Sequence, residues 1–303
     1  MTLPLSFRLR YSPFFTQLVV VRKCNLSCGY CNEYDKTSEP VPLDILKQRL
    51  TKLKELGAFS VCFTGGEPTL HPDLPELIRF ARHELKFFKT VMITNGFLLT
   101  KELIIALNEA GLQDMQISID GVKTNDMTIK VLDSLRRRLA LLKEHATFNV
   151  VVSGVVGSCP PEESFAVIEY AKDMGFRPRV LLIHGPDGQV KLTPDEMKIY
   201  RRIKKVISKH PFDASKYKDK IIEDGSYPFK CRAGSRYLYV DEFGLVNWCS
   251  QTRDYFHKPL DDYTSEDLKT QFYTNKSCQD RCTLGCVRTA SNFDNWRRQD
   301  SAS

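Results

Sequence analysis

The sequence predicts an α/β fold in which six strand–helix units form a partial barrel, followed by a small cysteine-rich extension. Three observations predict it. Short apolar runs of strand length recur along the first two thirds of the chain. Amphipathic helical stretches separate them. The alternation stops near residue 210, beyond which five of the ten cysteines are concentrated. Alternating strands and helices imply a parallel sheet covered by helices, and right-handed crossovers curl such a sheet. Six units are fewer than the eight of a closed TIM barrel, so an open (β/α)6 arrangement is expected. A flat doubly wound sheet is the alternative.

The first strand is expected at 16–22, where the run QLVVV leads toward Cys24. The others are FSVCFTG at 59–65, KTVMITNG at 89–96, DMQISIDG at 114–121, FNVVVSG at 148–154 and RVLLIHG at 179–185; each of these five ends in glycine, where the chain turns. Helices are expected at 42–56, 73–87, 100–110, 124–144, 161–174 and 193–209. In the first of these, Pro42 opens a run with Leu43, Leu46, Leu50 and Leu53 at spacings of three and four, and Gly57 stops it. Pro161 and Pro194 mark first turns. The core is therefore placed at 1–210. A polar, irregular connector is expected at 211–230, and the cysteine-bearing unit at 231–288. Within that unit, RYLYVDEFGLVNWC (236–249) reads as a hairpin turning near Glu242–Gly244, and a short helix covers 264–273. The polar tail 289–303 is expected to fray.

A length of 303 residues suits one large domain with a small addition. The net charge of +7 is spread along the chain, with clusters at Arg136–Arg138, at Arg201, Arg202, Lys204 and Lys205, and at Arg297–Arg298. These read as solvated helix faces, with docking of an acidic partner as the sharper alternative. No aromatic-basic motif accompanies them, so nucleic acid is not favoured. No stretch approaches the roughly 20 apolar residues of a membrane span, and the N-terminus lacks a signal peptide's apolar stretch. A cytoplasmic location is expected, where thiols stay reduced and available to metals.

In such folds functional groups gather at the C-terminal ends of the strands. Four motifs fall there: CNLSCGYC at 24–31, GGEP at 65–68, Thr94-Asn95, and Ser118 with Asp120. The first holds three cysteines, Cys24, Cys28 and Cys31, where a structural zinc site usually needs four ligands. Three thiolates suit a [4Fe–4S] cube with one iron left open; a cluster closed by four mainly carries electrons.

The spacing C-x3-C-x2-C after a first strand, with Tyr30 before the last cysteine, resembles the signature of the radical S-adenosylmethionine (SAM) enzymes. The resemblance implies that SAM chelates the open iron through its amino and carboxylate groups. An electron then cleaves the sulfonium, and the resulting 5′-deoxyadenosyl radical takes hydrogen from a substrate. A low-potential donor of the flavodoxin or ferredoxin type is implied as partner. Gly65, Gly66, Glu67 and Pro68 resemble the family's GGEP motif at the SAM amino group; glycine permits close backbone approach, and Glu67 offers a counter-charge to an ammonium. By the same resemblance Tyr30, Thr94, Asn95, Ser118 and Asp120 are cofactor contacts, and Ile183 is an apolar contact to adenine. The bland reading of the strand ends is ordinary turn chemistry, and of Ile183 core packing. Cys62 and Cys159 read as a core thiol and a loop thiol.

The second group is Cys231-x17-Cys249 followed by Cys278-x3-Cys282-x3-Cys286. C-x12-G-x4-C, with Gly244 in the hairpin turn, and CRAG at 231–234 resemble the start of the SPASM and twitch extensions of this family, which carry auxiliary iron–sulfur clusters. The C-x2-C-x5-C-x3-C run of a full SPASM unit is missing, so one auxiliary [4Fe–4S] cluster is expected. Its ligands are Cys231, Cys249 and Cys286 with one or both of Cys278 and Cys282. If 278–286 is helical, its three thiols share one face. Zinc is the alternative for this unit.

The leading expectation is a radical SAM enzyme acting on a small molecule by oxidation or rearrangement. Only about 15 residues precede the first strand, which leaves no leader-binding domain and disfavours the alternative, maturation of a ribosomal peptide. From other classes, a ferredoxin-like electron carrier and a zinc-stabilised binding module are carried as rivals. No catalytic acid or base is assigned; Glu33, Tyr34 and His184 lie near strand ends and read as structural.

Overall fold

The structure, a computed structural model, describes residues 3–183, 190–207, 216–253 and 255–292. His184, Arg297 and Arg298 lie outside these residues. The strands are β1 Phe15–Val21, β2 Ser60–Gly65, β3 Lys89–Thr94, β4 Asp114–Ile119, β5 Asn149–Val156, β6 Arg177–Leu182, β7 Tyr237–Val240, β8 Leu245–Asn247 and β9 His257–Pro259. The α-helices are α1 Leu5–Tyr11, α2 Leu43–Glu55, α3 Leu74–Arg79, α4 Lys101–Glu109, α5 Leu132–His145, α6 Pro161–Asp173, α7 Pro194–Val206, α8 Lys216–Asp224, α9 Ser265–Tyr273 and α10 Gly285–Asn292.

All nine strands form one sheet in the order β6-β5-β4-β3-β2-β1-β7-β8-β9. From β6 to β7 every neighbouring pair is parallel, and β8 and β9 add antiparallel. The first six strands follow one another without reversal. A doubly wound sheet reverses at a switch point, so this order fits the partial barrel. The hairpin expected at 236–249 is present, and its first strand pairs directly with β1, Gln17 standing opposite Tyr239.

Helix formation follows the apolar spacing. Leu46, Leu50 and Leu53 of α2 are fully buried, each stabilising by about 1.5–3 kcal/mol relative to exposure. Gly57 ends that helix at φ +82°, and a Cβ there would lie 2.5 Å from Ser12 Oγ. Thr193 and Glu196 form a capping box at the start of α7, with Pro194 in the first turn. On β3 and β4 burial alternates. Met92, Met115 and Ile117 face the helices and are dry, whereas Val91, Ile93, Gln116 and Ser118 are half-exposed. The helix-facing side is thus packed core, and the inner face opens into a lumen.

Several expectations need correction. The helix expected at 124–144 begins only at Leu132. Residues 121–131 are a loop instead, because Asn125 Oδ1 accepts from the N–H groups of Met127 and Thr128, and such side-chain bonds compete with the helix. The helix expected at 73–87 passes into a π-helical turn at Phe80–Glu84. The connector 211–230 holds α8. Residues 278–286 are not one helix; a 3₁₀ turn at Gln279–Arg281 is followed by α10. The tail does not fray at 289, since α10 continues to Asn292 and Arg288 is fully buried. Neither α1 nor β9 was expected. Among the described residues no helix is long and apolar enough to cross a membrane.

Candidate active site at the C-terminal ends of the strands

A cavity opens where β1 to β4 end, and it gathers the three cysteines of the first motif with the strand-end motifs. Cys24, Cys28 and Cys31 line it together with Gly65, Gly66, Thr94, Asn95 and Ser118. Leu26, Tyr34, Thr64, Glu67, Ile93 and Lys130 complete its wall. Cys28 is buried, Cys24 intermediate and Cys31 exposed. Burial pushes the Cys24 and Cys31 thiols up from their ordinary values. A thiolate ligand must shed its proton, so a bound cation would be needed to hold these sulfurs as anions.

The glycines of GGEP are required by the chain itself. A Cβ on Gly65 would lie 2.0 Å from the Val21 carbonyl oxygen, and one on Gly66 would lie 2.2 Å and 2.5 Å from the carbonyl oxygens of Arg22 and Lys23. Gly66 N–H donates to Val21 O at 2.9 Å and Glu67 N–H donates to Lys23 O at 3.0 Å. The turn is thereby stitched to the segment that delivers Cys24. Pro68 is buried and starts a 3₁₀ turn capped by Glu67.

Glu67 is tied into the strand ends that frame the cavity. Its carboxylate is fully buried. Oε1 accepts from Thr69 N–H at 3.1 Å, from Thr69 Oγ1 at 2.6 Å and from Thr94 Oγ1 at 2.6 Å, and Oε2 accepts from Asn95 N–H at 2.7 Å. Burial raises its pKa and these donors oppose the rise. The carboxylate ties the ends of β2 and β3 together and is also part of the cavity wall. Asn95, held this way, donates from Nδ2 to Asn25 Oδ1 at 2.8 Å beside Cys24.

Asp120 is turned inward. It is fully buried, and its Oδ2 accepts from the Tyr30 hydroxyl at 2.7 Å. Lys130 donates to the same hydroxyl and stands 3.6 Å from Asp120 Oδ2. Burial, reinforced by Asp120, pushes Tyr30 far above its ordinary pKa. Ser118 reaches the cavity; Asp120 and Tyr30 are not among the residues that line it. Sequence reasoning missed Leu26, Thr64, Ile93 and, as the one cation of this lining among the described residues, Lys130. That lysine lies in the loop misread as helix, and a lone lysine nine residues after a strand-end glycine carries no signal. In that loop the Met127 carbonyl also accepts from Gly29 N–H at 2.9 Å, and Thr128 is placed against Cys28.

Ile183 continues from β6, its N–H bonded to Val156 O at 3.1 Å, and packs near Gly157; it is outside the lining of this cavity. Glu33 accepts from Tyr239 at 2.6 Å and from Arg22 at 3.2 Å. Cys62 is a buried strand thiol, and Cys159 accepts a hydrogen bond from Asn125 at the base of the 121–131 loop.

In the extension, Cys231 and Cys249 are buried and share an apolar cluster with Cys282, Cys286 and Tyr237. Cys231 N–H donates to Gln279 Oε1 at 3.3 Å, which docks it onto the turn between Cys278 and Cys282. Burial pushes the Cys249 thiol up to about 12, with Cys231 and Cys278 adding to the rise. Burial pushes Lys276 down to about 8 while the neighbouring Cys231 and Cys278 pull it upward. Arg288 fastens the unit, donating from Nε to Cys282 O at 2.6 Å and from Nη2 to Tyr227 O at 3.1 Å. Among the described residues no three of the His, Cys, Asp and Glu side chains are drawn together tightly enough to hold a single metal ion.

Comparison with known proteins places this geometry. Residues 18–198 match the profile of the Radical SAM superfamily. The chain is 35% identical over 116 residues to GTP 3′,8-cyclase of Chlorobaculum tepidum, covering 38% of this chain and 35% of that one. It is also 35% identical over 136 residues to PqqA peptide cyclase of Bradyrhizobium diazoefficiens, covering 43% and 35%. The match thus spans about a third of the length of these relatives. Among solved structures, SuiB of Streptococcus suis bound to precursor peptide SuiA superposes with a TM-score of 0.66 at 17% identity, covering 98% of this chain and 76% of that one. Native anSMEcpe with bound AdoMet and Cp18Cys peptide gives 0.63 at 20% identity, covering 96% and 92%. These structures share the fold. With the family profile spanning more than half of its length and the three-cysteine cavity at the strand ends, the chain belongs to the radical SAM superfamily, whose enzymes use SAM and a [4Fe–4S] cluster.

Proposed function

We propose that this protein cleaves SAM reductively at a [4Fe–4S] cluster held by Cys24, Cys28 and Cys31, and abstracts hydrogen from an organic substrate. The observation that carries the reading is the donor set. The cavity brings three thiols together, and among the described residues its lining offers no fourth cysteine and no histidine. Three ligands leave one iron of a cube open. When bound, the cluster and SAM supply the radical chemistry. The chain supplies placement. Gly65 and Gly66 present bare backbone to the cavity, Asn95 and Ser118 offer hydrogen-bonding groups, and Lys130 offers positive charge to a carboxylate. Tyr30 and Asp120 hold Lys130 in position. A low-potential flavodoxin or ferredoxin is the expected electron donor.

The extension supports an auxiliary cluster. Cys231, Cys249, Cys282 and Cys286 share one apolar cluster, and four thiolates are what a cube without an open iron takes. Two substrate classes stand. A small molecule is the first. A ribosomal peptide is the second, favoured by the likeness over nearly the whole chain to SuiB with its precursor peptide and to anSMEcpe with a peptide. The test is anaerobic incubation of reconstituted protein with SAM and a strong reductant, with 5′-deoxyadenosine measured. Formation that depends on Cys24, Cys28 and Cys31 supports the reading, and none from iron-replete protein overturns it. A short peptide encoded beside this gene that stimulates turnover would select the peptide class; stimulation by a small molecule alone would select the other.

A further inference from the structure

We infer that Arg288 and Lys276 are built-in counter-charges of the auxiliary cluster and hold its reduction potential up. The inference rests on the auxiliary cluster proposed above and goes further by assigning it residues other than its ligands. Charged side chains are almost never fully buried unless paired. Yet in the extension Arg288 is 0% exposed and Lys276 is 2% exposed. Among the described residues neither forms an ion pair with an aspartate or glutamate. The guanidinium donates to backbone oxygens: from Nε to Cys282 O at 2.6 Å, from Nη2 to Tyr227 O at 3.1 Å, and more weakly from Nη2 to Gln279 O and Asp280 O, each at 3.4 Å. Its Nη1 is buried and, among the described residues, has no hydrogen-bond partner. Lys276 Nζ donates to Gln271 O at 2.6 Å and to Thr274 O at 3.0 Å. Carbonyl oxygens satisfy hydrogens but do not cancel a whole charge. Arginine cannot shed its proton inside a protein, so Arg288 calls for an anion beside it.

The thiols of the extension supply that anion. Gln279, Asp280 and Cys282, whose carbonyls hold the guanidinium, belong to the turn that Cys278 and Cys282 bracket. Val287 and Ala290, beside Arg288 on α10, pack in one apolar cluster with Cys231, Cys249, Cys282 and Cys286. Phe229 packs against the same cluster and places its ring centre 4.0 Å from the guanidinium carbon, and the Tyr217 ring stands 4.5 Å from it. Lys276 leads into the same turn. Its carbonyl accepts from Gln279 N–H at 3.1 Å, and its Nζ lies 5.5 Å from the ring of Trp248, the residue before Cys249. Protonated thiols would leave both cations uncompensated. A cube closed by thiolates is an anion, and reduction adds a further negative charge to it. Fixed positive charge in a poorly solvated site favours the more negative state, and net charge, hydrogen bonding and solvent exposure are what set the potential of such a cluster. Arg288 and Lys276 therefore favour the reduced cluster without ligating it.

The test reads a potential. A Cys24→Ala/Cys28→Ala/Cys31→Ala chain, purified and reconstituted anaerobically, isolates the auxiliary cluster and should hold about four iron atoms. In that background the midpoint is measured by potentiometric titration followed by electron paramagnetic resonance. Arg288→Met and Lys276→Met keep an apolar stem and remove the charge. At the midpoint of the parent, each should lower the ratio of reduced to oxidised cluster by about tenfold or more, which is a fall of about 59 mV for one electron. Arg288→Lys keeps the charge and should stay within about threefold of the parent. Circular dichroism verifies folding, and iron content verifies loading. An unchanged midpoint in either folded, iron-loaded methionine variant overturns the inference. So does a shift with Arg288→Lys as large as that with Arg288→Met, which would assign the effect to packing. Where Arg288→Met does not fold, Lys276→Met decides by the same criterion. A folded triple-alanine chain with no iron overturns the auxiliary cluster itself, which separates that failure from an error about its counter-charges.

Discussion

Glu67→Gln separates a structural carboxylate from a ligand-binding one. The native carboxylate accepts four hydrogen bonds from three residues, the shortest at 2.6 Å, in a fully buried position. A glutamine keeps one acceptor oxygen. Whichever way the amide is turned, its NH2 group faces a donor. Losing the charge-assisted bond to Asn95 N–H costs about 1.5–3 kcal/mol, and the bonds retained on oxygen lose their charge assistance. Relief from burying a charge offsets part of this. A net loss of about 3 kcal/mol is expected, which for a chain of this size lowers Tm by about 5 °C. Thermal unfolding of the reconstituted protein under anaerobic conditions reads the stability, and calorimetric titration with SAM reads the affinity. The folded variant should bind SAM within about threefold of the native protein (about 0.6 kcal/mol), because the four hydrogen bonds of the carboxylate are all made to its own chain. An unchanged Tm with a tenfold or greater loss of SAM affinity would refute the reasoning and restore Glu67 as a direct counter-charge.

Gly66→Ala should destabilise by about 2 kcal/mol or more, since the added methyl meets the carbonyl oxygens of Arg22 and Lys23 and backbone cannot yield cheaply; denaturant unfolding checks it. Cys28→Ala should abolish formation of 5′-deoxyadenosine, whereas Cys249→Ala should retain part of it while losing product, as chromatography of the two reaction mixtures will read; equal losses would argue against separate roles. Burial works against ionisation of Asp267, but Lys258 at 2.8 Å and Thr264 outweigh it and hold the carboxyl below its ordinary value. The sign follows: this stability is present above the unfolded pKa of about 4 and is lost as pH falls through the lower folded value. Asp267→Asn should therefore cost about 1 kcal/mol at pH 7 and progressively less below pH 4, measured by urea unfolding.

Much of the architecture was legible because its signals are local. The apolar strands ended in glycine, Pro and Gly bracketed the helices, and the cysteine motif followed the first strand as strand-end chemistry requires. What escaped depends on competition or on long-range packing. Asn125 draws residues 121–131 out of a helix-like pattern through side-chain bonds to its own backbone, and with that loop comes Lys130. The anchoring of Glu67 depends on Thr94 and Asn95 at the end of another strand, and a GGEP tetrapeptide carries no sign of them. Likewise Cys278, Cys282 and Cys286 are evenly spaced in sequence, yet a 3₁₀ turn and an extended residue at Cys282 interrupt the single helix that the spacing suggests. Arg288, at the end of the cysteine-bearing unit, carries no sign of burial in its sequence, but four nearby carbonyl oxygens and the rings of Phe229 and Tyr217 bury it.

The most direct measurement of the central claim is iron content and SAM cleavage on one anaerobic preparation of the native chain. The account predicts a brown protein with about eight iron atoms per chain that releases 5′-deoxyadenosine from SAM under strong reductant. A colourless, folded protein carrying zinc and releasing none would contradict it.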